Sequence, residues 1–324
     1  MYNPPFSISS KAINLIAKIS AQIERYAIRM EQSDSLKLRK ANRIKTIHSS
    51  LAIEGNNLSE GEVMAILDGK NVIAPQKEIL EVRNAIKTYE LYPTLNPFSV
   101  EDMLKAHLTM MSGLVDEAGM FRRRGVGVFD GTTAVHIAPP ADRVKDLMND
   151  LFIWLENSED HLLIRSCVFH YEFEFIHPFA DGNGRIGRLW QSLILGKLNP
   201  LFEHLPVENM VYANQQAYYD AITRSSAKGD SQPFIDFMLQ EILNALEDRK
   251  GHTVDEIGLA NSLSENEIKI LGLIRSDRHM SAKRLAEEIG ASSRQIERIL
   301  AGLKERSIIR RVGANRNGYW EVIG

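Results

Sequence analysis

The sequence predicts an all-α protein that carries two short β-hairpins and splits into a large helical region and a small C-terminal one. Three observations lead there. Apolar residues recur every 3.6 positions through most of the chain. Strand-like alternation around a turn occurs only at 121–140 and near 308–323, and the composition changes after a polar, weakly periodic stretch at 249–263.

Taken in order, Ile13, Ile16, Ile19, Ile23 and Tyr26 mark one face of a first helix over 13–28. A second runs from about Leu36 to Ile53 and stops at Glu54-Gly55-Asn56-Asn57, where Gly55 suits a C-terminal cap. Ser59 with Glu62 forms a capping box that opens a short third helix. Helices follow at 75–91, 99–113, 141–157, 161–176, 184–198, 207–226 and 231–248. Between them, FRRRGVGVFDGTTAVHIAPP (121–140) places Val126, Val128 and Phe129 before the turn-former Asp130-Gly131, with Val135 and Ile137 after it. Pro139-Pro140 ends the second strand. A lone hairpin in a helical domain has no sheet to join, so it is either a packing flap or a ligand clamp. Residues 249–263 read as the end of a helix and a linker. Helices at 264–277, 281–289 and 292–306, then strands at 308–312 and 319–323, give the pattern of a winged helix-turn-helix.

Bulk properties narrow the setting. The 324 residues are 44% hydrophobic and 25% charged with a net charge of −3, so no global field draws the molecule to nucleic acid or membrane. A single cysteine, Cys167, excludes an internal disulfide and fits a reducing, cytoplasmic setting. The N-terminal stretch MYNPPFSISSK lacks the basic start and apolar run of a signal peptide, and no apolar stretch is long enough to span a membrane. Nothing in the sequence decides against a homo-oligomer.

The chemistry concentrates in HPFADGNGRIGR, residues 177–188. Pro178 cannot continue the preceding helix, so His177 sits at its C-terminal end. Gly182-Asn183-Gly184 tolerates the backbone angles that turn successive N–H groups into one concavity, and the next helix adds its positive N-terminal end. Arg185 and Arg188 lie three apart on that helix, and Asp181 supplies a hard carboxylate oxygen of the kind Mg²⁺ takes beside a polyphosphate. His177 is the group here able to accept a proton near neutral pH. A zinc site from His170, Glu172, Glu174 and His177 is disfavoured, because helix neighbours two apart point away from each other.

These twelve residues resemble the signature of the Fic (filamentation-induced-by-cAMP) family, H-x-F-x-(D/E)-G-N-G-R-x-x-R, with all eight fixed positions matched. The resemblance covers roughly residues 40–245. It implies a Fic-type helical domain with a β-hairpin flap over the site, and transfer of AMP from ATP to a protein hydroxyl with pyrophosphate leaving. Under it His177 is the general base toward a Ser, Thr or Tyr, and Phe179 packs the loop. Asp181 holds Mg²⁺; Gly182, Asn183 and Gly184 form the anion hole, with Asn183 on the α-phosphate. Arg185 and Arg188 bind the β- and γ-phosphates. Relatives that phosphorylate carry a lysine where this chain has Gly184. The flap at 121–140 is implied to hold the target protein by strand addition, and Asn214, Tyr218 and Tyr219 are candidates for a base pocket.

SSLAIEGN, ending at Glu54-Gly55, resembles the family's inhibitory motif, (S/T)-x-x-x-E-(G/N), starting at Ser50. The implied role is that Glu54 pairs with Arg188 and fills the γ-phosphate space, a carboxylate–guanidinium pair competing with a phosphate one. In some relatives the same glutamate supports AMP removal.

The chain thus divides as 1–95, an N-terminal helical region with the inhibitory helix at about 36–54; 96–248, the Fic core; 249–263, the linker; and 264–324, the winged helix-turn-helix. The last holds twelve Lys/Arg against eight Asp/Glu, net +4, leaving −7 for the rest. Arg294, Gln295 and Arg298 near the start of its third helix suit a DNA major groove, while winged helices also serve as protein-interaction modules. The leading function is a self-inhibited adenylyltransferase; the rival from another class is a DNA-binding regulator whose Fic domain senses nucleotide, and a third is a Fic enzyme that transfers another nucleotide or phosphate-containing group. Intact His177 and Asp181 weigh against mere sensing.

Overall fold

The structure, a computed structural model, describes residues 2–31, 35–130, 133–205, 207–247, 265–278, 280–289, 291–305, 309–312 and 319–322. It is mostly helical and falls into two compact units, Met1–Lys250 and Gly251–Gly324.

In the first unit the elements are α1 (Ser10–Glu31), α2 (Ser35–Ile53), α3 (Glu60–Leu67), α4 (Gln76–Leu91), α5 (Val100–Met111), β1 (Gly127–Asp130), β2 (Thr133–Ile137), α6 (Val144–Asn157), α7 (Leu162–Ile176), α8 (Asn183–Leu198), α9 (Val207–Ala213), α10 (Gln215–Lys228) and α11 (Gln232–Glu247). One continuous cluster of buried apolar side chains runs from Ala12 to Leu246, so residues 1–95 and 96–248 share a single core. Its centre is α7, buried around its circumference from Leu163 to Ile176, with α8 packed along it. Phe152, Phe169 and Trp190 meet edge-to-face between these helices and α6, a favoured ring geometry.

Two helix ends place the site. The chain leaves α2 through a Schellman motif, in which the Asn56 N–H donates to the Leu51 carbonyl (3.1 Å) and the Gly55 N–H to Ala52 (3.0 Å). Gly55 takes φ 88°, and Glu54 is thereby fixed at the cap. At the other end, the His177 N–H closes α7 on the Phe173 carbonyl (2.9 Å) with His177 at φ 50° and ψ 62°. Pro178, which has no N–H, prevents a further turn. The Ser59–Glu62 capping box is present, and its two backbone and hydroxyl hydrogen bonds hold the Glu62 carboxyl below the usual range.

Some expectations shift. In α1 the buried stripe is Ala12, Leu15, Ile19 and Ile23, and Ile13 faces out at 60% exposure. The spacing 12, 15, 19, 23 follows the helical period better than a stripe through Ile13, and it is the face laid on α11. The single helix expected over 207–226 is two, α9 and α10. Asn214 breaks it at φ −119°, ψ 34°, where its amide donates to Glu241 Oε2 on α11 (2.9 Å) instead of continuing the helix. The 141–157 helix begins with a 3₁₀ turn at Ala141–Arg143.

β1 and β2 pair antiparallel with a register shift between Val128 and Phe129, and Gly131 of the expected turn lies outside the described residues. The second unit holds α12 (Glu265–Ser276), α13 (Ala282–Ile289), α14 (Ser293–Glu305) and the antiparallel pair β3 (Ile309–Val312) and β4 (Tyr319–Val322). It has its own core around Ile270, Leu285, Ile296 and Leu303. Trp320 donates through its backbone to the Arg278 carbonyl (2.8 Å) and through its indole to Met280 (3.1 Å), fastening β4 to the turn after α12. The expected linker 249–263 lies outside the described residues.

Two glycines give a graded test. Gly55 at φ 88° has open space where a Cβ would sit, so Gly55→Ala should cost only the left-handed strain, about 1 kcal/mol. Gly182, at φ 84°, would drive a Cβ to 2.7 Å from the Met111 sulfur, which is fully buried. Thermal melts should therefore show Gly182→Ala losing clearly more than Gly55→Ala; equal losses would contradict the packing described.

Candidate active site

The loop 177–182 is held from beneath. Phe179 is fully buried and stacks on the His107 ring at 3.7 Å between centroids. His107 Nδ1 accepts the Gly119 N–H (2.8 Å), which leaves Nε2–H to donate to the Asp181 carbonyl (3.0 Å). Burial keeps this imidazole neutral, with its pKa down to about 4. Asn183 clasps the loop from inside: its amide oxygen accepts from the Phe179 N–H and its amide nitrogen donates to the Phe179 carbonyl, both at 2.9 Å. The Asn183 side chain is thus committed to the loop, and what Asn183 can offer an anion is its backbone N–H. With Gly184 and Arg185 it forms the first turn of α8, ahead of the first bond back into it, Ile186 N–H to Gly182 (3.1 Å).

Arg122, which no sequence motif singles out, ties this loop to the hairpin. It is 2% exposed, and its guanidinium donates to the carbonyls of His177 (2.7 Å), Ile176 (3.2 Å), Arg124 (2.9 Å) and Pro139 (2.6 Å). Its own N–H donates to Pro178 (2.9 Å). The feet of the hairpin and the left-handed turn at His177 therefore share one buried fork. Nothing local marked Arg122 apart from Arg123 and Arg124.

Around α8 the charges are distributed unevenly. Asp181 Oδ1 accepts the Gly182 N–H (2.6 Å) and faces Arg185 Nη2 (3.3 Å), while the carboxylate stays half-exposed. Arg188 is buried and donates from Nε to the Ser50 hydroxyl (3.2 Å), and from Nη2 to the Ser50 carbonyl (2.9 Å) and Glu54 Oε1 (2.8 Å). Burial is the largest influence and opposes the guanidinium charge, but Glu54, Tyr218 and Glu174 together outweigh it and Arg188 lies above the ordinary arginine value. The Glu54 carboxylate rests against Gly184, where any Cβ would collide with Oε1. It occupies the N-terminal end of α8, the place where a helix attracts an anion.

Behind these lies Glu174, on α7, whose pKa burial raises to about 7, with Arg188 lowering it and Glu54 raising it further. Its Oε2 is 3.9 Å from His177 Nδ1. An acid inside the apolar run VFHYEFEFI was the only sequence signal for it. Glu172 is elsewhere, accepting from the Tyr2 hydroxyl (2.8 Å), and no group of three or more metal-ligating side chains occurs among the described residues.

The candidates on α10 separate. Tyr218 is buried, its hydroxyl 3.0 Å from His170 Nε2, while His170 Nδ1 meets Gln191 Oε1 at 2.6 Å. Asn214 reaches Glu241. Tyr219, at 44%, and Asn214 are exposed, and Tyr218 is not. On α14, Gln295 and Arg298 are exposed, and the side chain of Arg294 lies outside the described residues.

The arrangement is a helical domain with a loop histidine beside a helix N-terminus and two arginines on that helix. Residues 97–195 match the Fic/DOC family. A crystal structure of a Fic family protein from Desulfovibrio desulfuricans G20 is 40% identical, covers 100% of this chain and 99% of its own, and superposes with a TM-score of 0.73. The chain belongs to the Fic family. A protein adenylyltransferase fic-1 of Caenorhabditis briggsae is 30% identical over 253 residues, 71% of this chain and 47% of that protein. The chain spans about half the length of the curated relatives it matches. Fic-1 of C. elegans shares the fold, with a TM-score of 0.57 at 21% identity over 78% of this chain and 74% of its own.

Replacing Arg122 by Gln would leave buried carbonyls without donors, at about 1–3 kcal/mol for each one unsatisfied. Amide exchange should then accelerate together at 122–124 and 176–178, with a lower melting temperature. Acceleration at one segment alone would show that the fork does not couple them.

Proposed function

We propose that this chain is a self-inhibited protein adenylyltransferase, transferring AMP from ATP to a Ser, Thr or Tyr hydroxyl of a target protein with release of pyrophosphate. The observation that carries this reading is the Arg188–Glu54–Ser50 lock laid across the N-terminus of α8, a few residues from His177. His177 takes the hydroxyl proton, the oxygen attacks the α-phosphorus, and the bond from that phosphorus to the β-bridging oxygen breaks, so the negative charge leaves with pyrophosphate. The N–H groups of Asn183, Gly184 and Arg185 receive charge developing on the α-phosphate, and Arg185 and Arg188 hold the β- and γ-phosphates. Asp181 fits Mg²⁺, since its carboxylate is hard, half-exposed and beside the anion site. Bound there, the ion would neutralise phosphate charge.

Glu54 is the brake. Its carboxylate holds the guanidinium that the γ-phosphate needs, and both sit in one chain, so inhibition is in cis. The hairpin within 121–140 holds the target by strand addition, and α10 with its cap contributes the nucleotide pocket, where Asn214 and Tyr219 are exposed. Buried Cys167, its thiol pushed up to about 12 by burial, suits a cytoplasmic setting. Among the described residues no helix is long and apolar enough to cross a membrane.

We read 1–95 as the brake-bearing region, 96–248 as the transferase core and 264–324 as a winged helix-turn-helix. Its three helices and β3–β4 pair support that reading, and exposed Gln295 and Arg298 near the start of α14 support a DNA-contacting role. A regulator that only senses nucleotide, a different donor nucleotide, and AMP removal are the rival outcomes.

Incubating Glu54→Gly protein with each labelled nucleotide and Mg²⁺ tests these together. Auto-labelling from ATP should rise at least about tenfold over the natural chain, a change of about 1.4 kcal/mol, with His177→Ala as the blank. Labelling no higher than the blank would sink the enzyme reading, and stronger labelling from another nucleotide would replace AMP. For the C-terminal unit, a mixed-sequence duplex at low salt should shift in a gel at micromolar protein, and the shift should fade as salt rises. No shift would leave a protein-interaction role.

A further inference from the structure

Among the described residues Glu174, its side chain 13% exposed, is the acid that stands between the base and the brake. It lies where α7 meets α8, with Oε1 2.9 Å from the place a Cβ on Gly187 would occupy; only glycine there leaves room for the carboxylate. Among the described residues Oε1 has no hydrogen-bond partner. Oε2 points the other way, to His177 Nδ1 at 3.9 Å. The titratable and charged groups facing Glu174 are His177 and His170 from α7 and its cap, Arg188 from α8, Glu54 from the end of α2, and Tyr218 from α10. His170 holds Gln191 and the Tyr218 hydroxyl, and Arg188 holds Glu54 and Ser50. A carboxylate is a strong acceptor, and burying one beside an imidazole is how a histidine is given one tautomer and one ring orientation.

We propose that Glu174 is the positioning residue for His177, holding Nδ1–H so that Nε2 is the bare nitrogen directed at the reacting hydroxyl. This rests on the transferase reading above and adds to it a third group behind the base. When Nε2 takes the hydroxyl proton, the imidazolium charge forms beside the carboxylate. The proton stays on the imidazole and Glu174 does not receive it. The left-handed turn at His177 is pinned through its carbonyl by Arg122, which sets the backbone from which the ring is aimed. The brake reaches the same group. The Glu54 charge disfavours ionisation of Glu174, so withdrawing Glu54 favours the carboxylate form that the base requires. The phosphates of a bound nucleotide would act on Glu174 in the same sense as Glu54, with Arg188 between them.

The test uses the full chain in the Glu54→Gly background with Glu174→Met, which removes acceptor and charge, and Glu174→Gln, which removes the charge alone. Nitrogen-15 spectra of histidine-labelled protein should show His177 mainly as the Nδ1–H tautomer with Glu174 present, and mixed in the Met variant. The Met variant should label at least about tenfold more slowly with KM for ATP within about twofold. An ionised carboxylate favours the imidazolium, so the acid limb of the rate profile should move to lower pH in both variants. A folded Met variant with the parental tautomer ratio and pH profile would overturn the proposal. If that variant does not fold, an unmoved acid limb in the Gln variant does so instead. If the Glu54→Gly parent does not label at all, the transferase reading fails, while the tautomer spectra still decide the role of Glu174.

Discussion

The structure turns on a buried cation. Arg188 lies inside the molecule, and a guanidinium there is tolerable only among acceptors. It is given the Ser50 hydroxyl and carbonyl and the Glu54 carboxylate. Glu174 and Glu208, both raised to about 7 chiefly by burial, are electrostatically close and able to take up charge if Glu54 withdraws. Under the proposed function this is what would let the helix end switch: when Glu54 leaves, ionisation of a neighbouring acid can replace its charge beside the arginine.

The geometry that permits this comes from helix termini. A carboxylate at the C-terminal end of α2 sits against that helix's own dipole, an unfavourable place. The Schellman turn holds it there, and the N-terminal end of α8 and Arg188 together offset the repulsion. In the proposed reading a nucleotide uses the same α8 terminus and Glu54 competes with it; what is seen is that the Glu54 carboxylate fills the space left by the absent Cβ of Gly184. His177 is held separately, at the end of α7, by Pro178 on one side and the Arg122 fork on the other.

Much of this was legible in the chain alone, because the chemistry is local. HPFADGNGRIGR announces a helix stop, a positive-φ turn and a helix start through Pro178, Gly182 and the apolar rhythm around them. SSLAIEGN announces a capped helix end through Gly55. Short-range sterics and hydrogen bonding decide those features, so a sequence can state them. The family resemblance rested on the same residues, and the fold it implied for the large unit is the one observed.

What the tertiary structure alone decided is which groups meet across sequence distance. Arg122 joins the hairpin's feet to the turn at His177, His107 stacks under Phe179, and Glu174 stands between His177 and Arg188. Each depends on helices packing from elsewhere, and a buried polar residue carries no periodic signal of its partner. The break at Asn214 and the inward turn of Tyr218 belong to the same class, since α11 and His170 compete for side chains that the helical rhythm left unassigned. Asn183 shows the limit most plainly. Its place in the motif was readable, but both polar ends of its side chain close on Phe179, because the loop's own buried N–H and carbonyl must be satisfied before any ligand arrives.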